Sequence, residues 1–389
     1  MSDHTHPLRP LGGKLFTRAI YLFAPFAAIC GLLIVKRLVM GMGDVTALNG
    51  GYPWGVWISF DLLVGTGFAC GGWALAWAVY VFNRGDYHDL VRPALLASLF
   101  GYGLGGLSIT IDLGRYWNVP HFLMPGYFNT NSVLFETAAC MTIYIGIMSL
   151  EMLPALLERL GWQRPLRKLN RVMFIFISIG ALLPCMHQSS MGSLMMIAGY
   201  KVYPLWQSYE FLPLFSVLTA FLMGFSIVIF EGSLLRASAT FTADETPLFS
   251  KLSRVIKALL WIFVVLRVGE IIWRGKAGLV LAGNGYSWLF ITELALFILP
   301  LLILHSASLC RSPRALFLCA LSVLLGAAMW RIDYSLIAFD PGNGYHYFPT
   351  ASELLISIGF VAIEVVAYIL IIRLLPILPA NAAPVEVKP

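Results

Sequence analysis

Long apolar runs, bounded by charged or Gly- and Pro-rich connections, recur ten times along this chain. A helix spans a bilayer with about 20 apolar residues. The runs therefore predict spanning helices near residues 18–38, 54–82, 93–111, 132–156, 172–188, 211–236, 255–274, 286–306, 314–336 and 352–375. The fifth is short, and the pattern allows it to continue as a broken or re-entrant piece through Gly192–Tyr200. The alternation of a barrel strand is absent, and lipid cannot satisfy an open sheet edge. The predicted fold is an all-α polytopic membrane protein with about ten transmembrane helices. Residues 1–389 form one integral membrane domain with tails at 1–17 and 376–389.

Polar landmarks repeat within this pattern. Tyr52-Pro53-Trp54 before the second helix matches Tyr203-Pro204-Leu205-Trp206 before the sixth. Asp112-Leu113-Gly114-Arg115 has a counterpart in Arg267-Val268-Gly269-Glu270, and Leu134-Phe135-Glu136-Thr137 in Leu289-Phe290-Ile291-Thr292-Glu293. Both units begin on the same face, so the repeat is parallel. It predicts two four-helix bundles, helices 2–5 and 6–9, flanked by helices 1 and 10.

Composition agrees with a membrane protein: 59% of residues are hydrophobic and 12% charged, a balance foreign to soluble domains. Of the 26 Lys and Arg, 18 fall on the side of the termini and 8 on the other. By the positive-inside rule both termini are expected in the cytoplasm. No basic patch interleaved with aromatics points to nucleic acid. The first run is long, lacks an A-x-A-like site and ends in Lys36-Arg37, which reads as a helix rather than a cleaved signal. The connections Met40–Pro53, Asp112–Asn131, Gln188–Glu210 and Ile337–Ser352 are rich in Gly, Pro, Asn, Trp and Tyr. They read as an ordered outer docking platform more than as an interfacial aromatic belt alone.

Chemistry enters through the polar residues inside apolar runs: Asp61, Glu136, His187, Glu231, Arg267, Glu270, Glu293, Arg331 and Glu364. Each is costly in lipid and is by default a functional candidate. Asp61, Glu136, Asp112 and His187 are placed near the outer face. Trp54, Trp57 and Asp61 fall at i, i+3 and i+7, giving one helix face two aromatic walls and an acid. Gly65 and Gly72 continue that stripe and permit close approach. A quinone head group needs donors at its carbonyls and a proton source on reduction, which His and carboxylates supply. The plainer readings are helix–helix hydrogen bonding for Asp61 and Glu136, a helix-end role for His187, and pairing of Asp112 with Arg115. Tyr102 lies in the glycine run 101–106, and Glu231 lies toward the cytoplasm. With Glu136 and Glu151 they are read as a proton path between the cytoplasm and the outer site. Snorkelling or pairing with Arg236 is the alternative for Glu231.

The six cysteines form no C-x-x-C, so neither an iron–sulfur nor a zinc site is expected. Bis-histidine haem is not expected either, because His187 and His305 end helices on opposite faces and His88, His121 and His346 fall in connections.

The run Pro53-Trp54-Gly55-Val56-Trp57-Ile58-Ser59-Phe60-Asp61, the glycines from Gly65 to Gly72, and Asn131-Ser132-Val133-Leu134-Phe135-Glu136-Thr137 resemble the NrfD/PsrC family of quinone-reactive membrane subunits. Met186-His187-Gln188-Ser189-Ser190-Met191-Gly192-Ser193 and Phe225-Ser226-Ile227-Val228-Ile229-Phe230-Glu231-Gly232 narrow the likeness to the membrane subunits of periplasmic [NiFe]-hydrogenases of the hydrogenase 2 type. The resemblance implies a bacterial inner-membrane subunit that binds menaquinone or ubiquinone as an exchangeable substrate. It implies electrons from a periplasmic ferredoxin-like iron–sulfur subunit, with hydrogen chemistry in hydrogenase small and large subunits. It also implies coupling of quinone chemistry to proton transfer. The competing classes are a secondary transporter or ion channel, a quinone-reactive subunit of another NrfD-type complex, and a structural anchor. Buried charges and a parallel repeat also suit a transporter, whereas an anchor needs one helix rather than ten.

Overall fold

The computed structural model describes residues 8–238 and 245–379. Ten long helices carry the fold: α1 Arg18–Met40, α2 Trp57–Val81, α3 His88–Asp112, α4 Val133–Leu160, α5 Gln163–Ile197, α6 Leu212–Ser238, α7 Thr246–Trp273, α8 Gly285–Ile303, α9 Pro313–Ile332 and α10 Ala351–Leu374. Among the described residues, nine are long and apolar enough to cross a membrane. The exception is α7, whose apolar stretch carries Lys257, Arg267 and Glu270. It nevertheless packs between α6 and α8.

Local sequence sets the helix ends. The Ser132 and Asn284 side chains cap α4 and α8, and Ser312 caps α9 with Pro313 in its first turn. Thr350 and Glu353 form a reciprocal capping box at the start of α10. Gly161 ends α4 in the left-handed conformation, which strains any residue with a β-carbon.

In the first bundle α2 packs on α3, α3 on α4, α4 on α5, and α5 back on α2. In the second, α6 packs on α7, α7 on α8, α8 on α9, and α9 back on α6. The two rings have the same order, as the repeat predicts, and they meet through α2, α5, α6 and α9. Helices α1 and α10 pack together outside the first bundle. Only 11% of the apolar window of α1 is buried, against 78% for α2, so α2 is the core helix and α1 is exposed along most of its length.

One expectation fails, and the question left open at Gly192–Tyr200 is answered. The fifth helix is neither short nor re-entrant: α5 runs unbroken for 35 residues, ten beyond His187. Its polar end reads as a loop in the sequence, but the helix is held there against the start of α6, where Gly192 lies under the Leu212 carbonyl. The helix that is interrupted is α2. It is π-wound over Trp57–Val64 and Trp77–Val81, and its path breaks at Ala69 and Cys70, whose ψ values are 1° and 5°. Such departures expose carbonyls that neighbours must satisfy. Gly224 of α6 makes room for this break, since a β-carbon there would come within 2.5 Å of the Cys70 carbonyl oxygen.

Opposite the termini, at what is termed the outer end, the connections are ordered. Val202 bridges Phe339, and the Tyr203 N–H donates to the Ala338 carbonyl at 2.8 Å, tying the segment before α6 to the one after α9. At the other end Leu8–Arg9 and Leu378–Pro379 pair antiparallel, so the two ends of the described chain share one side.

Candidate functional site

The predicted site residues separate into groups. The first surrounds the start of α10. The Trp57 indole donates to the Glu353 carbonyl at 3.3 Å, and the Ser357 hydroxyl donates to Asp61 Oδ2 at 2.7 Å. Glu353 accepts from Tyr347 at 2.6 Å and from the Ala47 N–H at 3.0 Å, joining two outer connections. Burial, then this carboxylate, pushes the Tyr347 phenol above its usual range and keeps it a donor. Asp112 ends α3 with a buried Oδ1 that has no hydrogen-bond partner. Among the described residues it makes no ion pair with Arg115; the cation here is Arg37 of α1, which donates to the Ile111 carbonyl at 2.6 Å and to that of Leu113. A cation at a helix C-terminus offsets the orphan carbonyls.

The second group lies inside the first bundle. His187 is fully buried; its Nδ1 meets the Thr137 carbonyl at 3.2 Å and its Nε2 has no partner among the described residues. Its ring stands 5.5 Å from that of Tyr102, which packs edge-on to Tyr144 at 4.9 Å. The Tyr102 hydroxyl faces Cys70 Sγ at 3.6 Å, beside the break in α2. Gln188 donates to Thr66 at 3.2 Å. Glu136, in the first turn of α4, is half-buried and adjoins the Thr137 carbonyl that His187 touches.

His187 is thus level with the second turn of α4, although α5 continues for about 15 Å above it. Tyr102 continues through Tyr144 toward Glu151, and a β-carbon at Gly180 would meet both Tyr144 and Glu151. Glu231, about 29 Å along α6, has Glu364 and Tyr368 of α10 as its ionisable neighbours instead.

Two more predicted residues stand apart. The Trp54 indole donates to the Ser335 carbonyl at 2.7 Å and packs on Phe339. At Gly65 a β-carbon would meet only its own helix; the close approach falls at Gly72, against Leu95 and Ser98 of α3.

The second bundle holds an ionic cluster. Arg267 donates to Glu270 at 3.1 Å and lies 3.6 Å from Glu293, both carboxylates being buried. Trp206 donates to Glu293 at 2.7 Å, and Ser208 to Glu270 at 3.0 Å. Asp333 is fully buried with neither carboxylate oxygen partnered. Arg331 crosses between the bundles, donating to the Leu63 carbonyl in the π-wound part of α2, and to the Ser216 carbonyl at 3.0 Å and Thr219 at 3.2 Å. Sequence reasoning missed Asp333, Glu353 and Ser357. A signal existed for Glu353 in the Thr350-x-x-Glu353 capping box; nothing in the pattern singled out Ser357.

This is the architecture of a multi-pass membrane subunit with a polar interior. The family described as "Polysulphide reductase, NrfD" matches residues 44–338, and the chain belongs to it. At the level of single proteins, it is 68% identical over 376 residues to the "Probable Ni/Fe-hydrogenase 2 b-type cytochrome subunit" of Escherichia coli (strain K12), with 96% of each chain covered. It is 32% identical over 378 residues to a protein of Nitratidesulfovibrio vulgaris, covering 92% of this chain and 95% of that one. It is also 27% identical over 185 residues to the "Menaquinone reductase, integral membrane subunit" of the same organism, covering 42% of this chain and 40% of that one.

The first of these names corrects an expectation. A b-type cytochrome carries haem, so a chain without haem is contradicted by its 68% identical relative. One imidazole nitrogen in the bundle interior is unpartnered among the described residues, Nε2 of His187. Among the described residues no second imidazole faces it: His121 stacks on Tyr127 in the outer connection, and His305 bonds the Leu301 carbonyl at the far end of α8. The described residues thus do not form a bis-imidazole site.

Proposed function

We propose that this chain is the quinone-reactive membrane subunit of a hydrogen:quinone oxidoreductase. Its place is the bacterial inner membrane, with both termini cytoplasmic and the ordered connections facing the periplasm. The observation that carries the reading is the buried His187–Tyr102 pair, with its unpartnered imidazole nitrogen, beneath an ordered aromatic outer surface. The hydrogenase and menaquinone reductase relatives support the same chemistry.

In this reading hydrogenase large and small subunits oxidise hydrogen, and a ferredoxin-like iron–sulfur subunit docks on the outer connections. The quinone takes two electrons from that subunit and two protons, giving the quinol. Trp54, Trp57 and Asp61 border its entry from the α2 side, with Gly65 one turn deeper and Asp112 at the neighbouring helix end. Glu136 and His187 hold and pass the protons. Tyr102, and Glu231 from the terminal side, belong to the path that refills them and couples quinone chemistry to the proton gradient.

The test separates hydrogen chemistry from quinone chemistry. Glu136→Gln and His187→Gln should abolish hydrogen-dependent quinone reduction in assembled complex, while reduction of a soluble dye continues. Equal loss of both activities with the complex intact would refute the site.

A further inference from the structure

A cavity of about 780 Å³ opens at the terminal end of the helices, and its inner wall reaches Cys185, two residues before His187 on α5. It opens between α2, α5, α6 and α7. Trp77, Cys185, Phe221 and Phe225 wall its interior, and Arg84, Asp86, Lys251 and Arg254 line it at the α2–α3 connection and the first turns of α7. We propose that this cavity seats an acyl chain of an anionic phospholipid, whose phosphate is held by Arg84 and Arg254.

Three observations support that occupant. The volume falls within the roughly 300–1,000 Å³ of small-molecule sites. The charge is complementary to a phosphate: Asp86 is paired with Lys251 at 2.6 Å, leaving two exposed guanidinium groups with no carboxylate partner among the described residues. Basic pockets between helices at a membrane face suit anionic head groups.

The interior, in turn, is wrong for a quinone head. The Trp77 indole N–H is turned away, donating at 2.9 Å to the Ala181 carbonyl, which also accepts from Trp73 at 2.8 Å. Trp73 and Phe221 stack at 4.0 Å and fix the wall. An acyl chain needs no donor there, whereas quinone carbonyls do. The guanidinium groups sit at the water-facing end, where a phosphate lies while its chain enters lipid.

The experiment is native mass spectrometry of the purified complex, titrated separately with phosphatidylglycerol, phosphatidylethanolamine and menaquinone. The expected result is one tightly held phosphatidylglycerol per chain, with weak phosphatidylethanolamine binding. Arg84→Gln with Arg254→Gln should weaken phosphatidylglycerol roughly 30-fold, taking about 1 kcal/mol per basic residue. Ala258→Trp, which puts an indole into the cavity and keeps the charges, should sharply weaken lipid binding. Equal affinity for the two lipids, unchanged binding in the double variant, or displacement of the lipid by one menaquinone would overturn the proposal. Should the double variant fail to assemble, undiminished binding of phosphatidylglycerol by Ala258→Trp overturns it alone.

Discussion

The two bundles share one helix order but solve the problem of a polar interior differently. The first uses neutral groups, with His187, Tyr102, Gln188 and Thr66 packed around the break in α2. The second uses ions, with Arg267 set between Glu270 and Glu293 and covered by Phe290. An imidazole with a spare lone pair can take up a proton and pass it on, carrying a charge only while it holds it. A closed ion cluster cannot change one member without stranding the others. Under the proposed function, the first repeat exchanges protons and the second holds shape.

The largest effect should come from breaking the ionic side. Arg267→Met leaves buried Glu293 without its cation and Glu270 with Arg274 alone at 3.1 Å, and removing one partner of a buried pair costs about 3–5 kcal/mol. Loss of folded protein in detergent, read by thermal unfolding, is the expected outcome. A stable, assembled Arg267→Met variant that cannot reduce quinone would reverse the assignment of the bundles.

On the neutral side, His187→Gln should fold normally and lose about 100-fold or more in quinone reduction, the usual scale for a missing acid–base group. Dye reduction is the control, and its survival separates this variant from the first.

The next effect sharpens the exit from the neutral bundle. In proteoliposomes, hydrogen evolution from reduced quinone should respond to an imposed proton gradient. Glu151→Gln should remove most of that response, because Glu151 adjoins Tyr144 below Tyr102. Glu231→Gln should remove less, because its neighbours are Glu364 and Tyr368. The reverse ranking would move the proton path to the α6–α10 junction.

The smallest effect concerns the surface. Phe348 is 81% exposed in the outer connection before α10. Phe348→Ala should weaken docking of the iron–sulfur subunit about fivefold, the equivalent of about 1 kcal/mol, measured by retention on membranes. Unchanged retention would remove this connection from the docking face.

Much of this was legible because it follows from local rules. Apolar length gave the helices, and paired landmarks such as Tyr52-Pro53 and Tyr203-Pro204 gave the repeat. The intramembrane polar residues pointed to the polar interior. What remained hidden depends on distant neighbours. The end of α5 reads as a loop by composition, yet α6 holds it helical. The break in α2 has no proline to announce it and rests on Gly224, which is 154 residues away. Tyr102 and His187 were both chosen, but their contact is set by how α3 and α5 pack. Asp333 escaped notice because an acid at the end of an apolar run reads as interfacial, and only the fold buries it.

The pairing of Leu8–Arg9 with Leu378–Pro379 has a topological consequence. The described chain returns to its own beginning, with α1 and α10 side by side, so the molecule is nearly a closed ring with a seam. Ends that meet in this way tolerate being joined. A short linker across the seam, with a new opening cut in an exposed inner connection such as the one between α8 and α9, would present the ten helices in a rotated order around the same neighbours. Insertion and assembly of that permutant would show that the bundles are specified by which helices touch rather than by which is made first.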